Sequence, residues 1–402
     1  TTAQTESSTM QVRLHVSFEL GAKEWKLACA SSLEQSPLKR VLPAGDLVRL
    51  QEVIREVKQR LSLAEEVLVV SCYEAGRDGF WLHRYLAEAG IINVMVDPAS
   101  IQVNRRSRRA KTDTIDAAAL VRLLIRYHQG ERRVWSVVYV PTVEQENSRH
   151  LHREEINLRG ERTQLVNELR ALLFGVGTRL PSLKYLETQL PRLRQGNGQP
   201  LSAELQGRLT RLIRRLALVE RQLQEMHDER HRLIRLEQTP DVKEVRQLLG
   251  LKGIGTISSW LLVKEGLLWR NFSNRRQVAS FVGLAPTPFQ SGDSDKEQGI
   301  SKAGNKRLRW IMVELAWSWL RYQPQSELSQ WYERRFGSGS PRLRKIGIVA
   351  LARKLLVQLW KYMVRGELPP GAEAVPWQKK LTCRRTQWQE AKGTQEVHVP
   401  AA

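Results

Sequence analysis

The chain has 402 residues, 41% of them hydrophobic, and carries a net charge of +22. That length suits two or three domains of ~100–200 residues, and so positive a surface repels itself without a polyanionic partner, which makes nucleic acid the expected one and a passive basic surface the competing reading. Three scattered cysteines (Cys29, Cys72, Cys383) exclude a disulfide framework or a zinc site and fit a reducing cytosol; neither a secretory leader nor an apolar run of ~18 residues is present, so a cytoplasmic protein without a membrane segment is expected.

Residues 11–20 alternate well enough to predict a strand, 21–23 a turn and 24–31 a second strand, with a third near 38–42. Helical spacing follows over 45–61, where Leu47, Leu50, Val53, Ile54, Val57 and Leu61 recur. A short apolar run at 67–72 reads as a buried strand, then a helix at 78–89, a strand at 92–96 and a helix over 113–126. Three strands, then helix, strand, helix, strand and helix is the order of an RNase H/RuvC-like α/β domain, placed here at 11–130. In that fold one acid sits on the first strand, one at the end of the fourth, and the rest on the last helix. Glu19, Glu74, Asp113 and Asp116 occupy those places. Asp113 and Asp116 lie three apart and share a helix face, so capping beside Thr112 is their bland alternative. The chain order of all four acids favours a site. Converging carboxylates suit Mg²⁺, two ions ~3.5–4 Å apart clamping the oxygens of a phosphodiester. Arg105, Arg106, Arg108, Arg109 and Lys111 run straight into Asp113, and phosphate contact is favoured over a solvated loop.

The middle of the chain predicts a helical coiled-coil arm at 131–243. Residues 144–175 lack proline and predict one long basic helix, with Leu151, Leu158, Leu165 and Leu172 at seven-residue intervals. After a break at 181–200, Leu205, Leu209, Leu212, Leu216, Val219, Leu223 and Met226 alternate steps of four and three. An antiparallel hairpin within one chain and a dimer arm bury the same stripe, so the spacing leaves both open.

A mainly α-helical domain is expected over 244–370. Gly253-Ile254-Gly255 between helices resembles a helix-hairpin-helix turn, whose N–H groups face phosphate. Ser291, within Phe289-Gln290-Ser291-Gly292, has an ordinary reading as a turn serine, and Ser294 and Ser301 rival it. A serine nucleophile needs activation, and no histidine is near in sequence. Lys302, Asn305, Lys306 and Arg307, with Arg309 beyond, form a basic cluster suited to DNA. Trp310, Trp317, Trp319 and Trp331 at helical spacings are read as core rather than base-stacking. Residues 337–341 read as a flexible linker before a basic helix, and 371–402 as a polar, poorly ordered tail.

Several of these segments together resemble the DEDD transposases of the insertion sequence 110 family, closest to the 1111 subgroup. They are Tyr73-Glu74-Ala75-Gly76, Lys111-Thr112-Asp113 through Asp116-Ala117, Gly253-Ile254-Gly255, Gly283-Leu284-Ala285-Pro286, Gln290-Ser291-Gly292, Ile300-Ser301-Lys302-Ala303-Gly304-Asn305 and the basic stretch from Arg344 to Lys354. The likeness spans most of residues 11–370. One departure is Glu19, where the family usually has Asp; the longer arm shifts the ion's seat. The resemblance implies an RNA-guided, site-specific recombinase of an insertion sequence. A structured non-coding RNA (a bridge or seek RNA) would pair with donor and target double-stranded DNA. Glu19, Glu74, Asp113 and Asp116 would hold Mg²⁺ at the scissile phosphate. Ser291 would form a covalent phosphoserine, and strand exchange would pass through a Holliday-type junction. Family members act as homo-oligomers, a dimer and a tetramer in the synaptic complex, at the nucleoid. The competing readings are a RuvC-like junction endonuclease using the acids and water alone, and a non-catalytic nucleic-acid scaffold.

Overall fold

Near the start of the chain the alternating runs become strands. In the computed structural model, which describes residues 12–76, 79–101, 113–180, 182–267, 270, 272–291 and 294–382, β1 (Leu14–Leu20), β2 (Glu24–Ala30) and β3 (Leu38–Pro43) form an antiparallel meander. After α1 (Leu47–Arg60), β4 (Val69–Glu74) pairs parallel to β1. After α2 (Trp81–Glu88), β5 (Ile92–Val96) pairs parallel to β4, and α3 (Asp113–His128) follows. The strand order is β3-β2-β1-β4-β5. The chain divides into two compact units, Thr1–Thr142 and Val143–Ala402, and the five-stranded sheet belongs to the first.

Because β1 is buried without interruption from Leu14 to Phe18, both faces of this sheet are covered. Leu14, Val16 and Phe18 pack with Trp25 and Leu27 against Leu50, Val53 and Val57 of α1 and Leu82 and Leu86 of α2. The alternate positions face α3, and there the sheet presents small side chains. Ala28 and Ala30 meet Ala117, Val121 and Ile125, while Val70 and Cys72 meet Leu120 and Leu124. Each fully buried leucine or valine stabilises the unit by about 2 kcal/mol. A larger residue at Ala28 would force α3 off the sheet.

The second unit is mostly helical. The single helix expected over 144–175 is two, α4 (Val143–Asn147) and α5 (His150–Gly175). Ser148 Oγ donates back to the Gln145 carbonyl, and Arg149 N bonds to Glu146 O, three residues back instead of four, which turns the chain between them. Beyond α6 (Leu186–Gln189), α7 (Ala203–Leu236) starts at Ser202, whose side chain accepts from Leu205 N. Leu158, Leu165, Val166, Leu169 and Leu173 of α5 pack on Leu209, Leu212, Leu216, Val219 and Met226 of α7. The ion pairs Arg208–Glu168, Arg215–Glu161 and Arg230–Glu155 step backwards along one helix as they advance along the other, and Arg162–Glu220 lies between the last two along α7. The pair is therefore an antiparallel hairpin that buries the leucine stripe within one chain.

Next come α8 (Pro240–Leu249), α9 (Thr256–Leu262), a π-helical turn at Val263–Leu267, α10 (Arg275–Val282), the two-stranded ribbon β6 (Pro286–Ser291) and β7 (Ser294–Ile300), and α11 (Lys306–Tyr322). α12 (Glu327–Tyr332), α13 (Pro341–Arg365) and α14 (Trp377–Thr382) complete the described chain. Leu248, Leu261, Leu315, Trp319, Leu351 and Leu355 are central to their shared core. Where a flexible linker was expected at 337–341, the chain makes a packed corner. Phe336 is buried in the core against Gly347, and the Ser340 side chain caps α13 by accepting from Leu343 N. The described part of the expected tail also packs. Leu381 is buried, and Trp377 stacks under the Arg246 guanidinium, whose carbon lies 5.0 Å from the ring centroid. Among the described residues no helix is long and apolar enough to cross a membrane.

Candidate active site

Side chains alternate along a strand, so Glu19 shares the α3 face of the sheet with Ser17, and Glu74 shares it with Val70 and Cys72. The parallel register aligns Phe18 with Tyr73, which sets Glu19 and Glu74 level at the ends of adjacent strands. Both strands are tied to the start of α3. Ser17 Oγ donates to Ala117 O at 2.6 Å, and Cys72 Sγ lies 4.0 Å from Leu120 O as a weak donor. Ala117 directly follows Asp116, so the first turn of α3, with Asp113 and Asp116, starts beside the strand ends that carry Glu19 and Glu74. The side chains of Asp113 and Asp116 lie outside the described residues. Among the described residues no group of three His, Cys, Asp or Glu side chains is arranged to hold a metal. The donor set fits a hard divalent ion in kind: carboxylates at the ends of neighbouring strands and in an adjoining first helical turn. One residue here was not singled out from the sequence. Lys26 stands directly opposite Glu19 in the β1–β2 register and on the same face. The symmetric pairing around the 21–23 turn was the signal that could have found it. Arg105, Arg106, Arg108, Arg109 and Lys111 lie outside the described residues.

Ser291 ends β6, and the register pairs it with its rival Ser294 at the head of β7. The ribbon was not expected from the sequence; its side chains from 288 to 298 lie outside the described residues. Its base is built from two separated motifs that zip together. Ser301 N donates to Ala285 O, Lys302 N to Gly283 O and Asn305 N to Phe281 O, at 2.8, 3.1 and 2.8 Å. The approach is so close that a Cβ on Gly283 would lie 2.2 Å from Ala303 O, and one on Gly304 would lie 2.4 Å from Phe281 O. Both glycines also hold positive φ, 74° and 103°. This explains why glycine stands in each motif.

The ribbon base is held by a buried carboxylate. Glu265, in the π-helical turn, accepts from His152 Nε2 at 2.9 Å and Arg153 Nε at 2.8 Å on one oxygen. Its other oxygen accepts from Arg153 Nη2 at 3.1 Å and Asn305 Nδ2 at 2.7 Å. Burial alone would raise the Glu265 pKa; the bonds from His152, Arg153 and Asn305 outweigh it and hold the carboxyl well below the usual carboxylate range. Asn305 Oδ1 meanwhile accepts from Arg307 N and Leu308 N and caps α11. Both ends of the Asn305 amide are thus engaged inside the protein. Lys302 and Lys306 are exposed, Arg307 is half-buried, and Lys302 holds an unusual positive φ of 56°. Glu265 and His152 carried no local sequence signal, since their meeting spans more than a hundred residues.

The Gly250–Gly255 turn joins α8 to α9 as expected, and its carbonyls face inward. Val375 N donates to Gly250 O, Gln323 Nε2 to Lys252 O and Ser318 Oγ to Gly253 O. Lys380 Nζ donates to both Leu251 O at 2.6 Å and Ile254 O at 2.9 Å. Burial lowers the Lys380 pKa to about 8. The segment that reads as tail in the sequence therefore closes this turn from behind.

Comparison with known proteins finds transposases along both units. A profile described as "Transposase IS116/IS110/IS902 family" matches residues 245–332, and a second, of DEDD type and described as "Transposase", matches residues 28–177. The second match starts beyond Glu19. The y4rJ protein of Sinorhizobium fredii, described as a transposase, is 42% identical over 374 residues, covering 89% of this chain and 94% of its own. The transposase for insertion sequence element IS1328 of Yersinia enterocolitica is 27% identical, covering 71% of this chain and 81% of its own. The transposase for insertion sequence element IS1111A of Coxiella burnetii is 26% identical, covering 73% and 76%.

Proposed function

This chain belongs to the IS110 family of DEDD transposases and is a DNA transposase/recombinase, and we propose that it recombines DNA at specific sites under the direction of a structured non-coding RNA. In this reading residues 11–130 are an RNase H/RuvC-like domain, 131–243 a helical arm and 244–370 the serine-bearing domain. Glu19, Glu74, Asp113 and Asp116 bind Mg²⁺, which when present supplies charge neutralisation at the scissile phosphodiester. The observation that supports the acid site is that Glu19 and Glu74 lie at the ends of adjacent parallel strands, while α3, which begins with Asp113 and Asp116, meets both strands; the guide RNA and the phosphoserine rest on the family likeness.

Ser291 is the nucleophile. Its Oγ forms a bond to phosphorus as the bond from phosphorus to the 3′ oxygen breaks. The serine proton ends, through solvent or a side chain, on the departing 3′ oxygen. The free 3′-hydroxyl then attacks the phosphoserine phosphorus on the partner strand, the bond from phosphorus to Ser291 Oγ breaks, the hydroxyl proton returns to that Oγ, and exchange proceeds through a Holliday-type junction. Base pairing with the guide RNA reads donor and target sequence, while the protein reads backbone and shape. Arg105, Arg106, Arg108, Arg109, Lys111, Lys302, Lys306 and Arg307 contact phosphates, and Asn305 sets the end of α11 that presents the last of these.

The test is a denaturing gel of protein incubated with donor and target DNA and the RNA that copurifies with it. A covalent protein–DNA band that disappears in Ser291→Ala supports the reading. Cleavage without any covalent band, or a band at full yield in Ser291→Ala, overturns the serine assignment and favours the junction endonuclease. Sequencing the copurified RNA tests guidance: one discrete species complementary to element ends and target supports it, and random RNA rejects it.

A further inference from the structure

Tryptophan is expensive to leave in water, since each ring carries a large apolar area. On α11 the buried stripe is Leu308, Ile311, Met312, Leu315, Ala316 and Trp319. At 100° per residue, positions 310 and 317 fall on the opposite face. Trp310 and Trp317 are accordingly 47% and 48% exposed, where the sequence spacing led us to expect core. Trp319 is 1% exposed and matches that expectation. Among the described residues neither of these half-exposed tryptophans, one heptad apart, belongs to the core cluster that α11 helps to form.

The same face is basic. Lys306 lies one turn before Trp310, and Arg321 one turn after Trp317, both exposed. Lys302, also exposed, lies three residues before the α11 cap. Glu314 is the one exposed acid between them. The face begins at Asn305, the residue that ties the base of the Ser291 ribbon to Glu265. Aromatic rings interleaved with cations suit nucleic acid whose bases are free to stack. Paired bases are already stacked on both faces, so a duplex offers these rings nothing without unstacking. Strand exchange by a DNA recombinase releases DNA strands from their duplex. The two rings, about 10 Å apart along the helix axis, are far enough apart to take different bases.

We propose that Trp310 and Trp317 stack on unpaired bases of a DNA strand released during exchange, with Lys306 and Arg321 holding its phosphates. The proposal rests on the recombinase reading above and adds to it a binding surface for the displaced single strand. It places that strand on α11, at the foot of the ribbon that bears the serine.

The test uses the full chain and fluorescence anisotropy with labelled oligothymidylate, oligouridylate and a DNA duplex. The expected result for Trp310→Ala or Trp317→Ala is roughly tenfold weaker binding to oligothymidylate, with duplex binding and melting temperature unchanged. Trp→Phe at either position is expected to restore most of the loss, because a smaller ring still stacks. Lys306→Ala and Arg321→Ala are expected to flatten the salt dependence of binding, which the tryptophan variants leave intact. Wild-type affinity in the double alanine variant overturns the proposal. So does an equal loss on duplex, or stronger and tryptophan-dependent binding of oligouridylate. A change of oligomeric mass by light scattering with unaltered DNA binding assigns the face to a second copy and also overturns it. Failure here leaves the covalent band of the wild type in place, whereas failure of the serine reading removes that band and leaves these affinities measurable.

Discussion

The acids and the serine are supported in opposite ways. Glu19 and Glu74 end strands in the middle of a five-stranded sheet, covered by α1 and α2 on one face and α3 on the other. Ser291 ends one strand of a two-stranded ribbon, which by itself is a marginal structure in water. The sheet needs no polar clamp because apolar burial on two faces fixes strand position. The base of the ribbon is set by backbone zipping at Gly283 and Gly304 and by the buried Glu265 network. One region is positioned by packing, the other by hydrogen bonds and charge, and the two should therefore fail differently.

The largest expected effect removes chemistry without touching packing. Asp116→Asn is expected to abolish divalent-metal-dependent strand cleavage while leaving the melting temperature unchanged; cleavage at the wild-type rate would reject the metal assignment. Next, Glu265→Ala leaves His152 and Arg153 without their anion, and a loss of about 3 kcal/mol in chemical denaturation is expected, discounted because Arg153 is partly exposed. An unchanged stability would show that the clamp contributes nothing.

Acid tests both units, because each carries a histidine whose pKa burial lowers. Burial, the nearby His128 and Arg13 lower the His15 pKa from 6.5 to about 4, against hydrogen bonding to the Ala30 and Arg13 backbone that raises it. The unfolded chain therefore binds the proton first. Stability of the first unit is expected to fall as pH drops from 6.5 towards 4, by up to about 3 kcal/mol, and His15→Gln should remove that slope. Glu265 works in a lower window. Its pKa is depressed from 4.5, so its contribution is present above that value and is lost as pH falls below it. In the second unit His231 is likewise lowered to about 4, by burial and by His227 and Arg230, so both units are expected to lose stability over the same pH interval, as hydrogen exchange of each unit would report. The smallest effect is expected for Lys380→Met, which leaves the Leu251 and Ile254 carbonyls without a donor and should cost about 1.5 kcal/mol.

Much of the first unit was legible because its signals are local. Alternation located β1 and β2, and the apolar run with its flanks located β4 and β5. The acids stood at strand ends and in a first helical turn. The heptad stripe located α5 and α7, yet it was equally compatible with a dimer, and the opposed ion pairs between the two helices were needed to show the antiparallel hairpin. The ribbon was missed because Pro286, Pro288 and the polar run at 294–298 carry little strand signal; its pairing depends on the zipped motifs at its base. Residues 337–341 looked like a linker because glycine and serine mark both flexible chain and tight corners, and only the position of Phe336 separates the two.

By itself the sequence determined the order of the elements, the acids' places along them, the stripe of the arm and the transposase likeness, since each is written in residue type and spacing. Only the tertiary structure decided that Glu265 joins α5 to the foot of the serine ribbon and that residues 372–382 close the Gly250–Gly255 turn. Those outcomes depend on which surfaces meet across scores of residues, and burial and pairing of that kind leave no periodic trace along the chain.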